Sequence, residues 1–133
     1  MLEVLYVRIA LPTAKKFLVM GLSGSGKTTF AKNLVDAIED VTWLNADKVR
    51  AEYDDWDFSY GGRIRQAKRL RELSDKVTTE YVVCDFIAPT KEIRDIYAAD
   101  YVVWMDTVKN SKYSDTDKLF EPPKHYNLKI NNT

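Results

Sequence analysis

An α/β fold, with a parallel sheet of about five strands sandwiched between helices, is what this sequence predicts, and three observations predict it. Short β-branched and aromatic runs recur at Lys16–Met20, Val41–Leu44, Tyr81–Asp85 and Tyr101–Asp106, with a weaker run at Asn127–Ile130. Segments with apolar residues at helical spacing fill the gaps between them. Three of the five glycines, Gly21, Gly24 and Gly26, fall within six residues at the first strand-to-helix junction. Strand and helix alternating in this way imply crossover connections, which cover a parallel sheet on both faces.

Along the chain, KFLVM (16–20) reads as a buried strand. The helix that follows, Thr28–Glu39, carries Phe30, Ala31, Leu34, Val35 and Ile38 at helical spacing. Further helices are expected at about Asp47–Tyr53, at Arg63–Val77 and at Lys91–Ala98. The segment from Val108 to Tyr126 is polar and marked by Pro122 and Pro123, so it is expected to be a long loop, and loops of that length are often functional. There is no internal repeat and no low-complexity tract. One domain is expected over residues 1–133, with 1–14 a lead-in. That opening stretch is apolar, but Glu3 and Arg8 interrupt it and no basic region precedes it, so it is not read as a cleaved leader.

Composition excludes several classes. The 133 residues carry 20 basic and 20 acidic side chains, and this neutrality argues against a nucleic-acid scaffold. A single cysteine, Cys84, excludes an internal disulfide framework and fits a cytoplasmic location. No apolar run approaches the ~18 residues that would span a bilayer. His125 and Cys84 have no metal-ligating neighbours in sequence, so no zinc site is expected.

The glycine cluster carries the chemistry. Gly21-Leu22-Ser23-Gly24-Ser25-Gly26-Lys27-Thr28 satisfies G-x-x-x-x-G-K-[ST] at every constrained position, between a strand and a helix as that motif demands. A triphosphate needs many donors within a few ångströms, and glycine lets successive backbone N–H groups close around it. The following helix adds its positive end. ATP is therefore expected against Gly21–Thr29, with Lys27 on the β/γ-phosphates and the Thr28 hydroxyl on Mg²⁺. The fold expected is the three-layer, kinase-type P-loop NTPase sandwich. Asp85 and Asp106 each end a strand and Asp47 follows one, and these residues alone do not rank the three as the carboxylate beside the metal.

In the helix after Gly62, Ile64, Ala67, Leu70 and Leu73 form the apolar stripe. Arg63 and Gln66 fall inside it, while Arg65, Lys68 and Arg69 point away and are expected to be solvated. An inward guanidinium needs an anionic partner, either a ligand or one of Asp54, Asp55 and Asp57. Just upstream, Tyr53, Trp56, Phe58 and Tyr60 crowd one loop, where they would either stack a flat base or cover the flank of the domain.

The order of motifs resembles the adenylylsulfate (APS) kinases, P-loop enzymes that phosphorylate the 3′-hydroxyl of adenosine 5′-phosphosulfate to make PAPS. NADKVR (45–50) resembles the family's D-G-D-N-V-R, DWDFS its L-G-F-S, and Arg63 with Gln66 its Arg-x-x-Asn. CDFIAPTKEIR resembles F-I-S-P-Y-R-x-x-R, VWMDT resembles V-D-T-P, and FEPPKHYNLKI resembles the closing Y-E-x-P-x-x-P-E-L-x-I. The resemblance implies that Asp47, with Lys27, is catalytic, organising Mg²⁺ and the accepting hydroxyl. It also implies that Arg50 and Arg63 hold the phosphosulfate with Gln66, that Phe58 and Tyr113 sandwich the adenine of APS, and that Ile87 lines the pocket.

This chain departs from the family in places. Asn45 replaces the first aspartate of D-G-D-N, and Ala88 replaces the serine of I-S-P. Only Thr107–Lys112 separate Asp106 from Tyr113, where the family carries a long lid, and Lys112 stands one position out of register with a lid lysine. The implied activity is ATP- and Mg²⁺-dependent phosphorylation of APS by a cytoplasmic enzyme of sulfate assimilation that has no nucleic-acid or membrane partner; a homodimer is allowed. Other nucleotide, nucleoside or sugar acceptors, or nucleotide binding with little turnover, are the alternatives.

Overall fold

The computed structural model describes residues 13–132. Its strands are β1 (Lys15–Met20), β2 (Val41–Asn45), β3 (Tyr81–Asp85), β4 (Tyr101–Asp106) and β5 (Leu128–Asn131). Its helices are α1 (Lys27–Ala37), α2 (Ala46–Tyr53), α3 (Tyr60–Lys76), α4 (Lys91–Tyr97) and α5 (Ser114–Leu119). The expected lead-in lies outside the described residues except for Thr13 and Ala14, of which Ala14 is buried.

All strand pairs are parallel, in the order β2-β3-β1-β4-β5. The two-residue period of β1 explains the layers. Leu18 and Met20 face one core with Cys84 and Trp104, closed by Ala67 and Leu70 of α3 and by Ile93 and Tyr97 of α4. Val19 faces the other with Val83, Val103 and Met105, closed by Ala31, Leu34 and Val35 of α1. Because β1 is central and the chain leaves it first toward β2 and later toward β4, the carboxyl ends of the strands open a crevice beside β1. In parallel α/β sheets, ligands bind at such a reversal.

Two expectations need correction. Val108–Tyr126 is not all loop, because α5 lies within it. The Ser111 N–H and hydroxyl both donate to the Asp117 carboxylate, at 2.8 and 2.6 Å, and close the entry to that helix. Six residues are too few to display a helical period. In addition, α3 starts at Tyr60, three residues before the expected Arg63. The Ser59 hydroxyl accepts from the Gly62 N–H at 3.2 Å, and this cap draws both glycines into the first turn.

Candidate active site

The loop after β1 and the start of α1 form the first half of the site. Gly21, Gly24 and Gly26 have φ of 150°, 82° and 93°. A Cβ on Gly21 would lie 2.6 Å from the Met105 carbonyl oxygen, so the loop packs against β4 only because that position is glycine. Thr107, just past β4, donates to the Ser25 carbonyl at 2.6 Å and pins the loop from the same side. Among the described residues no side chain caps α1, and no acidic residue occupies its first turn, which leaves its N–H groups to an anion. The buried Ser25 Oγ has no hydrogen-bond partner among the described residues. Lys27 Nζ donates to the Leu22 carbonyl at 3.1 Å. Burial holds its pKa below the ordinary lysine value, against the opposing pull of Asp85 and Asp47. An orphaned hydroxyl, free amides and a desolvated ammonium together fit a polyphosphate.

The second half is a pocket between this loop, α2, α3 and the β3–α4 connection. Thr28 and Asp47 line it together with Arg50, Phe58, Arg63, Gln66, Asp85 and Ile87. Lys112 and Tyr113 are not among the residues lining it; the Lys112 ammonium lies 5.2 Å from the Tyr113 ring centre. Arg50 donates to the carbonyls of Asp55 (2.9 Å) and Asp57 (3.3 Å). Arg63 donates to the Phe58 carbonyl at 2.8 Å and to the Thr116 hydroxyl of α5 at 3.1 Å. The two guanidinium carbons stand 4.3 and 5.5 Å from the Phe58 ring centre. Among the described residues neither arginine pairs with a carboxylate, and burial lowers the pKa of both. Two cations held by neutral oxygens retain their charge for an incoming anion.

Among the described residues none of Asp54, Asp55 and Asp57 forms an ion pair with Arg63. Asp55 receives Arg65 at 2.8 and 3.0 Å and Arg69 at 2.9 Å. Arg69 is therefore not solvated as expected; its side chain is 14% exposed, donates to Gln66 Oε1 and lies over Tyr53. The helical wheel of α3 placed Arg69 outward correctly, but the 54–57 loop folds over that flank. Gln66 donates in turn to the Ala46 carbonyl at 3.0 Å, so its amide ties α2 to α3 while its oxygen holds Arg69 on α3. Arg94 was also missed: it donates to the carbonyls of Ala88 (2.8 Å) and Pro89 (3.2 Å) and braces the pocket wall after β3. The left-handed Ala88, φ 48°, sits in that wall.

Hydrogen bonds from Arg65 and then Arg69 hold the Asp55 carboxyl well below the usual range. A depressed acid stabilises the fold above its unfolded pKa of about 4, and this contribution is lost as pH falls through the lower folded value. Asp55→Asn is expected to remove that acid-dependent contribution in pH-dependent melting.

The Thr28 hydroxyl donates to Asp85 Oδ2 at 3.1 Å, and not to Asp47, which stands exposed in the first turn of α2. Asp106 lies 3.5 Å from Lys129. No group of three or more His, Cys, Asp or Glu among the described residues is placed to hold a metal ion. The donor set fits Mg²⁺ as P-loop sites take it, with one hydroxyl, phosphate oxygens and water as ligands and a carboxylate behind the water.

Residues 14–108 match the adenylylsulphate kinase family. The chain belongs to that family. Membership makes it a kinase-type phosphotransferase with an ATP-binding P-loop. The fold agrees with that of known structures. A mutant of the Mycobacterium tuberculosis APS kinase CysC is 24% identical, over 91% of this chain and 87% of that one, with a TM-score of 0.69. The same enzyme in complex with AMPPNP and APS is 23% identical over 91% and 90%, TM-score 0.67. A sugar kinase from Janibacter sp. is 18% identical over 89% and 84%, TM-score 0.68. No curated protein matches the chain. Among the described residues no helix is long and apolar enough to cross a membrane.

Proposed function

We propose that this family member transfers the γ-phosphoryl group of ATP to the 3′-hydroxyl of APS, giving PAPS and ADP. The observation that supports this most is the pair Arg50 and Arg63, a buried and a half-buried guanidinium with no carboxylate partner among the described residues, in a pocket that also contains Thr28 of the phosphate loop. An anionic acceptor and a nucleotide donor would meet there. ATP lies along Gly21–Thr29, with the loop amides and Lys27 neutralising its phosphates. The acceptor enters from the α2–α3 side, its phosphosulfate on Arg50 and Arg63 and its adenine against Phe58, with Ile87 completing that end. Asp47 orients or deprotonates the attacking hydroxyl. Thr28 would hold Mg²⁺, which would supply charge neutralisation to the nucleotide's phosphates. Catalysis is then positioning plus electrostatics, with in-line attack.

The short segment between Asp106 and α5 leaves little chain to cover the donor, so turnover slower than in lidded relatives is part of this reading. The likeness to a sugar kinase favours a second reading, with the same donor and a sugar or nucleoside acceptor. Incubation with ATP, Mg²⁺ and APS, followed by mass spectrometry, is expected to show PAPS and stoichiometric ADP. ADP released only with sugar or nucleoside acceptors would replace the first reading with the second. Tight ATP binding with no ADP from any acceptor would make the protein a binder.

A further inference from the structure

Position 45 is where this chain loses a charge. The family pattern has an aspartate there and this sequence has asparagine, so the end of β2 cannot place a carboxylate beside Thr28. Asn45 and Asp85 are register partners across the parallel β2–β3 pair, both at the carboxyl end of the sheet. Asn45 Nδ2 donates to Asp85 Oδ2 at 3.0 Å, and the Thr28 hydroxyl donates to the same oxygen at 3.1 Å. The indole N–H of Trp43 donates to the other oxygen at 2.8 Å.

Asp85 is 2% exposed, and no Lys or Arg among the described residues contacts it as an ion pair. Three neutral donors and no ion pair leave this buried carboxyl without a cationic partner of its own. Its electrostatic reach extends to Lys27. We propose that Asp85 is the carboxylate that positions the divalent cation of the bound nucleotide, acting through Thr28 and the cation's water shell, and that it replaces from β3 the charge missing from β2.

The chemistry of the pair explains both residue types. Asn45 Oδ1 accepts from the Lys48 N–H at 3.0 Å and caps α2, while its Nδ2 donates to Asp85. Aspartate at 45 would cap the helix but has no N–H to donate, and it would set two carboxylates side by side. One charge fits this corner, and the amide opposite it orients that charge. Trp43 holds Oδ1, which turns Oδ2 toward Thr28. Asp47 and Asp106 have neither contact.

The proposal rests on the P-loop reading above, and the test separates the two. Mn²⁺ and ADP are the probes. Binding of ADP alone is measured by calorimetry, and binding of Mn²⁺ to the ADP complex by electron paramagnetic resonance. Asp85→Asn is expected to weaken Mn²⁺ affinity about 10–100-fold while metal-free ADP affinity stays within twofold of the parent. The exchanged pair, Asn45→Asp with Asp85→Asn, returns the carboxylate to β2 and is expected to recover most of the lost affinity. A purely structural role for Asp85 would not give that recovery, and the pair carries the test if the single variant fails to fold. Unchanged Mn²⁺ affinity in Asp85→Asn, or no recovery in the folded exchanged pair, overturns the proposal. Failure of the parent protein to bind ADP at all overturns the P-loop reading, and the proposal falls with it.

Discussion

Replacing Lys27 by alanine is expected to abolish measurable phosphoryl transfer, a loss of at least about 10²–10³-fold, as when one preorganised charge is removed from a developing transition state. The same substitution is not expected to lower the melting temperature of the ligand-free protein at neutral pH. Burial depresses the Lys27 pKa, so the folded state disfavours the protonated amine. For a cation with a lowered pKa, this cost is present below the folded value. It fades as pH rises toward the unfolded value, so ligand-free stability gains from alkaline pH. The lysine is held for its ligand at the expense of stability. Discontinuous assay of ADP together with calorimetric melting checks both halves. Near-normal transfer by the variant would remove Lys27 from the mechanism, and a sharply lowered melting temperature would show that its bond to Leu22 stabilises the fold more than burial penalises it.

The adjacent glycines of α3 give the second large effect. A Cβ on Gly62 would sit 2.1 Å from the Asp57 carbonyl oxygen and 2.7 Å from its carbonyl carbon, a clash with backbone that no rotamer relieves. A Cβ on Gly61 would meet nothing within 4 Å. Gly62→Ala is therefore expected to push the 54–59 loop away from α3, costing about 1–3 kcal/mol. The loop would carry Phe58 and the carbonyls that hold Arg50 with it, so acceptor binding is expected to fall by an order of magnitude or more while ADP binding is kept. Gly61→Ala is expected to stabilise the protein by up to about 1 kcal/mol, the helix propensity that glycine forgoes. Denaturant titration of both variants, with acceptor and ADP binding measured separately, checks the contrast. Equal effects at the two positions would contradict the packing at Gly62.

The parallel sheet with helices on both faces, the glycine loop between β1 and α1, and the inward placement of Arg63 and Gln66 on α3 were legible in residue order. Each depends on local periodicity or on a motif with a fixed backbone geometry, and such signals survive without knowledge of neighbours. Hidden from that reading were the helix inside 108–126, which is too short for a period, and the start of α3, which is set by the Ser59 cap and by the close approach of Asp57 to Gly62. Arg69 shows the limit most clearly. Its wheel position was read correctly and its environment was not, because a wheel describes one helix and not the loop that folds over it.

Thus the chain's own order of residues sufficed to place a phosphate loop at the head of α1 and to assign the fold, since backbone geometry there follows from glycine positions and strand-to-helix alternation. Residue order alone left Asp47, Asp85 and Asp106 unranked as the carboxylate beside the metal, the family resemblance pointed to Asp47, and neither showed which of them meets Thr28. Only the packed sheet decides between them by contact, because register across β2 and β3 brings Asn45 and Asp85 side by side from positions 40 residues apart. Which carboxylate meets which hydroxyl is a property of strand neighbours, and adjacency in a parallel sheet is not written in adjacency along the chain.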